Sequence, residues 1–595
     1  MSVLGISTTD LIVEVGGAPL DPIVFGMLVS AEVDTSLFLP DQFRLVFRGG
    51  RADVLGLGAL DIAVPVTIQI TAGEEPIPIT EGEITAVEID YGPQGNLTVV
   101  RGLDLSHRLM KGTKTRAFPD MTSSDAVGAV LAEAEVMPGE IIPTNSIYSQ
   151  LTQGNVSDWV FIQQLAAEEG YDAYSSNGLF NFKPAGEAAE GLPPVMSYAE
   201  PAMASQLVMG KNLIRLRASV SGAEQVAAVQ VRGWDPLLMA PVIGESPALA
   251  TAVLSDDPAV EPDALAGEVG GEQFVATDRP YDSEGAAMKK ATAIANQIAS
   301  SSVEMHGECL GDPSIVAGAS VSVGMAGPPF DGQYVVSEAT HRWHPSQGGY
   351  TTWFTIGGRR DRSLLALSSS PTGSAGSVRP TIPGVVIATV LDTNDPEEMG
   401  RVKLQFPWLD DMYITDWVRP VQLGAGPDYG CLWIPEIETE VLVAFDRGDI
   451  AHPYVIGNLF NGMQRPIPPP NVEGGLVGQR RIMSRMRHQI LFDDGPEVQG
   501  ITIQSGEMDC TIKIDAEEQA ISIISAGQVT VEAAAELSIT AVGDISITTE
   551  GAMSIEASEL SINAEAITVA ADTALTLSGD AEVTVAGAVV MLGEG

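Results

Sequence analysis

The chain has 595 residues and sets 31 Lys plus Arg against 78 Asp plus Glu, a formal net charge of −47. That acidity excludes nucleic acid and anionic membrane surfaces as steady partners, because both require a cationic face. A hydrophobic content of 45% separates the chain from disordered acidic tails, and its length provides for several domains.

Residues 1–10 hold no basic stretch, and the apolar run after them is broken by Glu14, Gly16 and Gly17, so no secretory leader is expected. Without about 18 consecutive apolar residues anywhere, stable membrane insertion is not expected either. Up to residue 367, short alternating segments predict strands, among them 11–15, 43–47, 64–70, 226–231 and 321–323. Three helices interrupt them. Residues 122–136 open with candidate caps Thr122, Ser123 and Ser124. Residues 158–169 (DWVFIQQLAAEE) put Phe161, Ile162, Leu165 and Ala166 on one face and stop at Gly170. Residues 284–300 are Ala-rich, with Met288, Ala291, Ile294 and Ile298 as the expected buried stripe. These patterns divide into a β-barrel over 1–110, an α+β insertion over 111–205 and a second barrel over 206–367.

Residues 368–383 (SSSPTGSAGSVRPTIP) read as a linker. Residues 384–462 follow with six expected strands, VVIATV, RVKLQF, WVRPVQL, CLWIPEI, EVLVAF and YVIGNLF. Small size and close spacing predict an OB-fold barrel. Its four bases, Arg401, Lys403, Arg419 and Arg447, stand against thirteen acids, which argues against oligonucleotide binding. Residues 463–498 read as a neck, stiffened by Pro466, Pro468, Pro469 and Pro470.

From 499 to 595 a repeat takes over. Apolar pairs recur as Ile512/Ile514, Ile521/Ile523, Val529/Val531, Leu537/Ile539, Ile545/Ile547 and Met553/Ile555. The series continues through Leu560/Ile562, Ile567/Val569, Leu575/Leu577, Val583/Val585 and Val589/Met591. From Ile521 most steps are eight residues, and the residue within each pair is mostly Ser or Thr. Each unit is thus a short strand with one dry face, followed by a corner. A lone strand cannot bury that face, so units must stack, either as a single-chain solenoid or as several intertwined chains. An eight-residue step gives one strand and one corner, which suits a three-walled prism built by three chains. The paired residues from Ile512 to Val585 then fill its axis, and twelve strands at about 4.8 Å give a needle of roughly 60 Å. Sixteen acids and one base, Lys513, keep such shafts apart.

Segments 101–134 (RGLDLSHRLMKGTKTRAFPDMTSSDAVGAVLAEA), 158–184 and 311–341 resemble the baseplate-hub, or late control D, family of contractile-tailed phages. Residues 400–408 (GRVKLQFPW) and 453–461 (PYVIGNLFN) are similar to the OB domain of phage spikes. With the β-repeat after them, the whole chain resembles VgrG-type spike proteins, which fuse hub and spike. The resemblance implies a mainly β fold: two barrel-like hub domains with a helical insertion, an OB barrel and a C-terminal intertwined triple-stranded β-helix. It implies a homotrimer that adapts a hexameric inner tube to a three-fold needle, driven through a target envelope by sheath contraction. Baseplate components and the inner tube protein are the expected partners at the hub. The particle, whether released, cytoplasmic or membrane-docked, would be assembled from protein made in the cytoplasm.

Departures from the family sharpen the expectation. Residues 462–496 are too few for an inserted lysozyme domain, His488 is the last histidine so no HxH iron tip is expected, and the repeat runs almost to Gly595. The apolar end, Val589, Val590, Met591 and Leu592, is expected to contact a PAAR-type tip protein. No catalytic residue, metal ligand or cofactor is expected. His341 and His344 have an HxxH spacing but no further ligand. Asp410/Asp411 and Asp493/Asp494 are adjacent pairs on turns, and Cys309, Cys431 and Cys510 lack reactive or ligand spacing. Arg480, Arg481, Arg485, Arg487 and His488 form one basic run, a charge balance or an inter-protomer contact. The competing functions are a tailspike-like polysaccharide-degrading enzyme and a receptor-binding tip. Enzymes of that kind line their grooves with aromatics, and this chain has none after Phe492.

Overall fold

The computed structural model describes residues 10–71, 75–93, 95–186, 188, 205–249, 251–345, 349–358, 381–496 and 498–591. The linker read at 368–383 therefore lies outside the described residues up to 380. The chain forms two compact units, Met1–Ile467 and Pro468–Gly595.

The first unit is organised by an eleven-stranded sheet whose order ignores sequence order. Gly349–Ile356 and Glu338–His344 come from the 300s, yet Glu338–His344 pairs antiparallel with Leu28–Ser36, setting His341 opposite Val33 and Trp343 opposite Ala31. Strands from residues 10–104 and strands from residues 213–356 are thereby joined in one continuous sheet. Alternation accounts for its two faces. In Asp10–Val15 and Pro65–Thr71, Leu11, Val13, Val66, Ile68 and Ile70 turn into one core with Phe43, Leu45 and Phe47. Val303, Met305, Cys309, Phe354 and Ile356 enter a second core with Tyr334.

The insertion carries two capped helices. Thr122 Oγ1 accepts from the Asp125 amide at 3.2 Å and starts Ser123–Glu133. Ser157 Oγ accepts from the Val160 amide at 3.3 Å and starts Asp158–Glu169, which ends on Gly170 at φ 71°, a left-handed position that glycine takes without strain. Their buried faces meet Phe118, Phe180 and Phe182.

The third helix, Glu284–Ala299, corrects the expected stripe. Its buried residues are Ala287, Ala291, Ala295 and Ala299, while Met288 is exposed and Ile294 and Ile298 are only partly covered. The cause lies on the facing strand Ala240–Pro247, where a Cβ on Gly244 would come 2.2 Å from the Ala287 carbonyl carbon. Helix and strand approach so closely that only alanine and glycine fit between them.

The OB barrel is a five-stranded sheet in the order Lys403–Gln405, Val385–Asp392, Glu440–Phe445, Pro453–Asn458, Arg419–Pro420. Bridges Val402–Val418 and Gln405–Ile414 continue it around a core of Val390, Leu404, Phe406, Val441 and Val443. Two expected strands are corrected. WVRPVQL contributes Arg419–Pro420 and the Val418 bridge, and CLWIPEI forms no strand. Pro420 and Pro435 lack the N–H that a ladder needs. The barrel rests on the insertion through Gln150 Nε2, which donates to the Ile414 carbonyl at 3.2 Å.

Candidate functional site

The second unit begins with an antiparallel meander: Gln479–Met483, Gln489–Asp494, Gln499–Gln504, Cys510–Asp515 and Ala520–Ser525. Residues 479–494, read from the sequence as neck, are its first two strands. Register aligns the apolar residues in two rows on one face. Ile482, Ile490, Ile503, Ile512 and Ile523 form one row, and Phe492, Ile501, Ile514 and Ile521 the other. Arg481, Thr502, Lys513 and Ser522 stand on the opposite face. Ile512, Ile514, Ile521 and Ile523 thus meet as cross-strand neighbours within the chain, in hairpins that differ from the eight-residue step that follows.

After the Ala526 amide bonds to the Asp509 carbonyl at 2.8 Å, no described backbone group up to 591 pairs with another. Residues 528–591 form no strand or helix and bend at 534–535, 542–543, 550–551, 558, 565, 572–573, 580–581 and 588. The bends keep the eight-residue step, with two seven-residue steps around 558 and 565. The apolar pairs lie between them. Val529, Val531, Leu537, Ile539, Ile545, Ile547, Met553, Ile555, Ile567, Val569, Leu575, Leu577, Val583 and Val585 are 53–71% exposed. One chain does not bring them together. At the end, Val589, Val590 and Met591 are also exposed, and Leu592 lies outside the described residues.

The other sequence candidates have structural surroundings. His341 is buried, its Nδ1 lies 2.7 Å from the Tyr350 hydroxyl, and burial pushes its pKa down to about 4. His344 lies three residues along the same strand, which puts the two rings on opposite faces. Asp410 Oδ1 accepts from the amides of Met412 and Tyr413, a turn bond. Asp493 accepts from Gln479 Nε2 at 2.7 Å, whereas Asp494 pairs with Arg480. That ion pair within the chain was not foreseen for the basic run. Cys309 is buried and donates to the Thr352 carbonyl, and burial pushes its thiol up to about 12. Among the described residues, no three His, Cys, Asp or Glu side chains are grouped to hold a metal ion.

Sequence patterns missed a buried carboxylate pair. Asp104 Oδ2 accepts from the Asp41 amide at 2.9 Å, and Asp104 Oδ1 accepts from the Ser106 amide at 2.7 Å. Burial raises both pKa values above the usual carboxylate range, Asp41 further, with Asp104 as its second cause. Neither residue stands in a motif, so only the fold makes them neighbours.

Comparison with known proteins adds the following. The type VI secretion system/phage-baseplate injector OB domain matches residues 386–460. The Alg8 N-terminal domain matches residues 64–344. The type VI secretion system spike protein VgrG2a of Pseudomonas aeruginosa is 42% identical over 96 residues, 15% of this chain and 11% of that protein. The actin cross-linking toxin VgrG1 of Vibrio cholerae is 38% identical over 98 residues, 15% of this chain and 9% of that protein. The matched stretch thus spans about a tenth of the length of these relatives. A chain of the half-lidded Francisella PdpA-VgrG complex shares the fold, with a TM-score of 0.50 at 10% identity, covering 87% of this chain and 88% of that one. No helix among the described residues is long and apolar enough to cross a membrane. The chain is thus similar to an injector OB domain over 386–460 and to curated VgrG spike proteins over about 15% of its length, and it shares its mainly β fold with a solved PdpA-VgrG chain.

Proposed function

We propose that the protein is the structural spike and tube adapter of a contractile injection system, working as a homotrimer and catalysing no reaction. The observation that carries this reading is the stretch 527–591, which holds its apolar pairs in regular eight-residue steps without one backbone partner of its own. Such a stretch satisfies its amides and buries its aliphatic face only when other chains supply the remaining walls. Burying one Ile or Leu contributes about 1.5–3 kcal/mol, a gain open only to the assembled form. Ile512 through Val585 then line the axis of a three-walled needle.

The hub, with its continuous eleven-stranded sheet, takes the adapter role toward the inner tube protein and baseplate components. The exposed end at Val589, Val590 and Met591 suits a PAAR-type tip protein that covers the last unpaired strands. The needle is without aromatics to line a sugar groove, which supports a mechanical role. The toxin activity in the name of one relative belongs to that protein, of which the matched stretch is 9%.

Native mass of the full-length protein tests the reading. Three chains of 62.4 kDa are expected in one particle. A stable single-chain mass contradicts the proposal, as does reproducible turnover of peptidoglycan.

A further inference from the structure

The repeat follows a rule that places its ninth step. Bends end at 527, 535, 543, 551, 558, 565, 573 and 581, and an apolar pair begins two residues after each, from Val529 to Val583. The bend at 588 therefore makes Val590 the first inward residue of the next step, which corrects the pairing of Val589 with Met591 read from the sequence. Exposure agrees. Val590 is 52% exposed, beside 53–60% for the eight earlier first members, while Val589 is 77% and Met591 88% exposed.

Val589 and Met591 then share the outer face. In the step before them Thr584 Oγ1 donates to Glu582 Oε1 at 2.8 Å, so the residue preceding a pair and the residue within it lie on one side. In the eight earlier steps the residue within the pair is Ser or Thr, and the one preceding it is Gln, Ala, Asp or Glu. In the ninth step these two positions hold Met591 and Val589. Each step from 526 to 587 also carries one or two acids, and 588–591 carries none. A wall that is polar along its length thus turns apolar at one level, with Asp580 and Glu582 in the adjoining step.

We infer that Val589 and Met591 of three chains form a collar gripped from the side by a second protein, whose cup is apolar and rimmed by lysine or arginine. The inference rests on the proposed needle and its tip protein. It deepens that reading by moving the contact from the end of the shaft to its outer face. Charge selects the occupant. An uncharged band fits an apolar cup, and the carboxylates that three copies of Asp580 and Glu582 supply fit a basic rim. The same carboxylates repel an anionic lipid surface. They also repel a second needle approaching tip to tip, because it brings an identical acidic band.

The test is binding of a purified PAAR-type tip protein to the full-length protein, with native mass recorded on the same samples and phosphatidylcholine vesicles as a second probe. Expected is a three-chain mass throughout, with the tip protein bound to wild type and held at least about tenfold more weakly by Met591→Glu and by Val589→Glu. Thr568→Glu adds the same charge to the outer face three steps earlier and should bind as wild type. Binding should fall as salt rises, and less steeply in Glu582→Gln. Equal binding in Met591→Glu and wild type overturns the collar and leaves the needle standing, with the contact confined to its end. Equal loss in Thr568→Glu, salt-independent binding, or no tip protein on wild type overturns the collar too. Binding of vesicles in place of the tip protein, or a doubled wild-type mass, overturns the occupant. A single-chain mass overturns the needle and the collar together.

Discussion

Arg279 Nε lies 3.2 Å from Asp449 Oδ2, and this pair ties the segment before Glu284–Ala299 to the OB barrel across 170 residues of sequence. The same guanidinium reaches Glu168 at 2.6 Å, and the Arg279 carbonyl accepts from Arg447 at 2.7 Å. Tyr281 donates to Glu168 at 3.1 Å and completes the joint. Three elements, Asp158–Glu169, the segment before Glu284–Ala299 and the barrel turn at Asp446–Gly448, are fastened by one largely buried cation.

Removing that cation leaves Glu168 with Lys290, 3.4 Å away, and Tyr281, and Asp449 with His452 at 3.4 Å. Arg279→Ala is expected to lower stability by about 1–3 kcal/mol, below the full cost of a buried charge left with no partner. Thermal unfolding of the variant against wild type checks this. A change under about 1 kcal/mol would mark the joint as a solvated surface contact.

The helices were legible in the sequence because their signals are local: Thr122 at one start, Gly170 at a stop. The eight-residue corners were legible for the same reason. The seam between Glu338–His344 and Leu28–Ser36 was not, since pairing between segments 300 residues apart leaves no local trace. Nor was the alanine stripe of Glu284–Ala299, which is decided by the missing side chain of Gly244 on another element. Among the candidate residues, the apolar pairs were readable from periodicity, while Asp41 and Asp104 became a pair only through the fold.

Close packing at that helix gives a second expectation. Gly244→Val places branched carbons against the Ala287 backbone and forces the helix away, at an expected cost of about 1–3 kcal/mol or more. A melting point equal to wild type would contradict the contact.

His341 makes stability depend on pH. Its folded pKa, about 4, lies below the usual imidazole value of about 6.5, so the unfolded chain binds the proton more readily. The contribution is fully present above about pH 6.5 and is lost as pH falls toward 4, a change of about 3 kcal/mol. Asp41 and Asp104 act in the opposite sense, because their raised values favour the folded, protonated form as pH falls. Comparing denaturant midpoints of wild type and His341→Asn from pH 7 to 4 isolates the histidine. Identical slopes in the two proteins would contradict its buried, neutral state.

Within the repeat, the two faces should respond differently. Ile547→Asp puts a charge on the apolar face and is expected to abolish the three-chain mass, whereas Ser546→Asp, on the other face, retains it. Equal behaviour of the two variants would remove the basis for an axis-facing row.

Hydrogen exchange over 527–591 in the intact protein tests the central claim most directly. A backbone shared among three chains exchanges slowly along the whole stretch, with fast amides only at the final residues. Uniformly rapid exchange, at the rate of an unpaired extended chain, contradicts the needle and with it the spike.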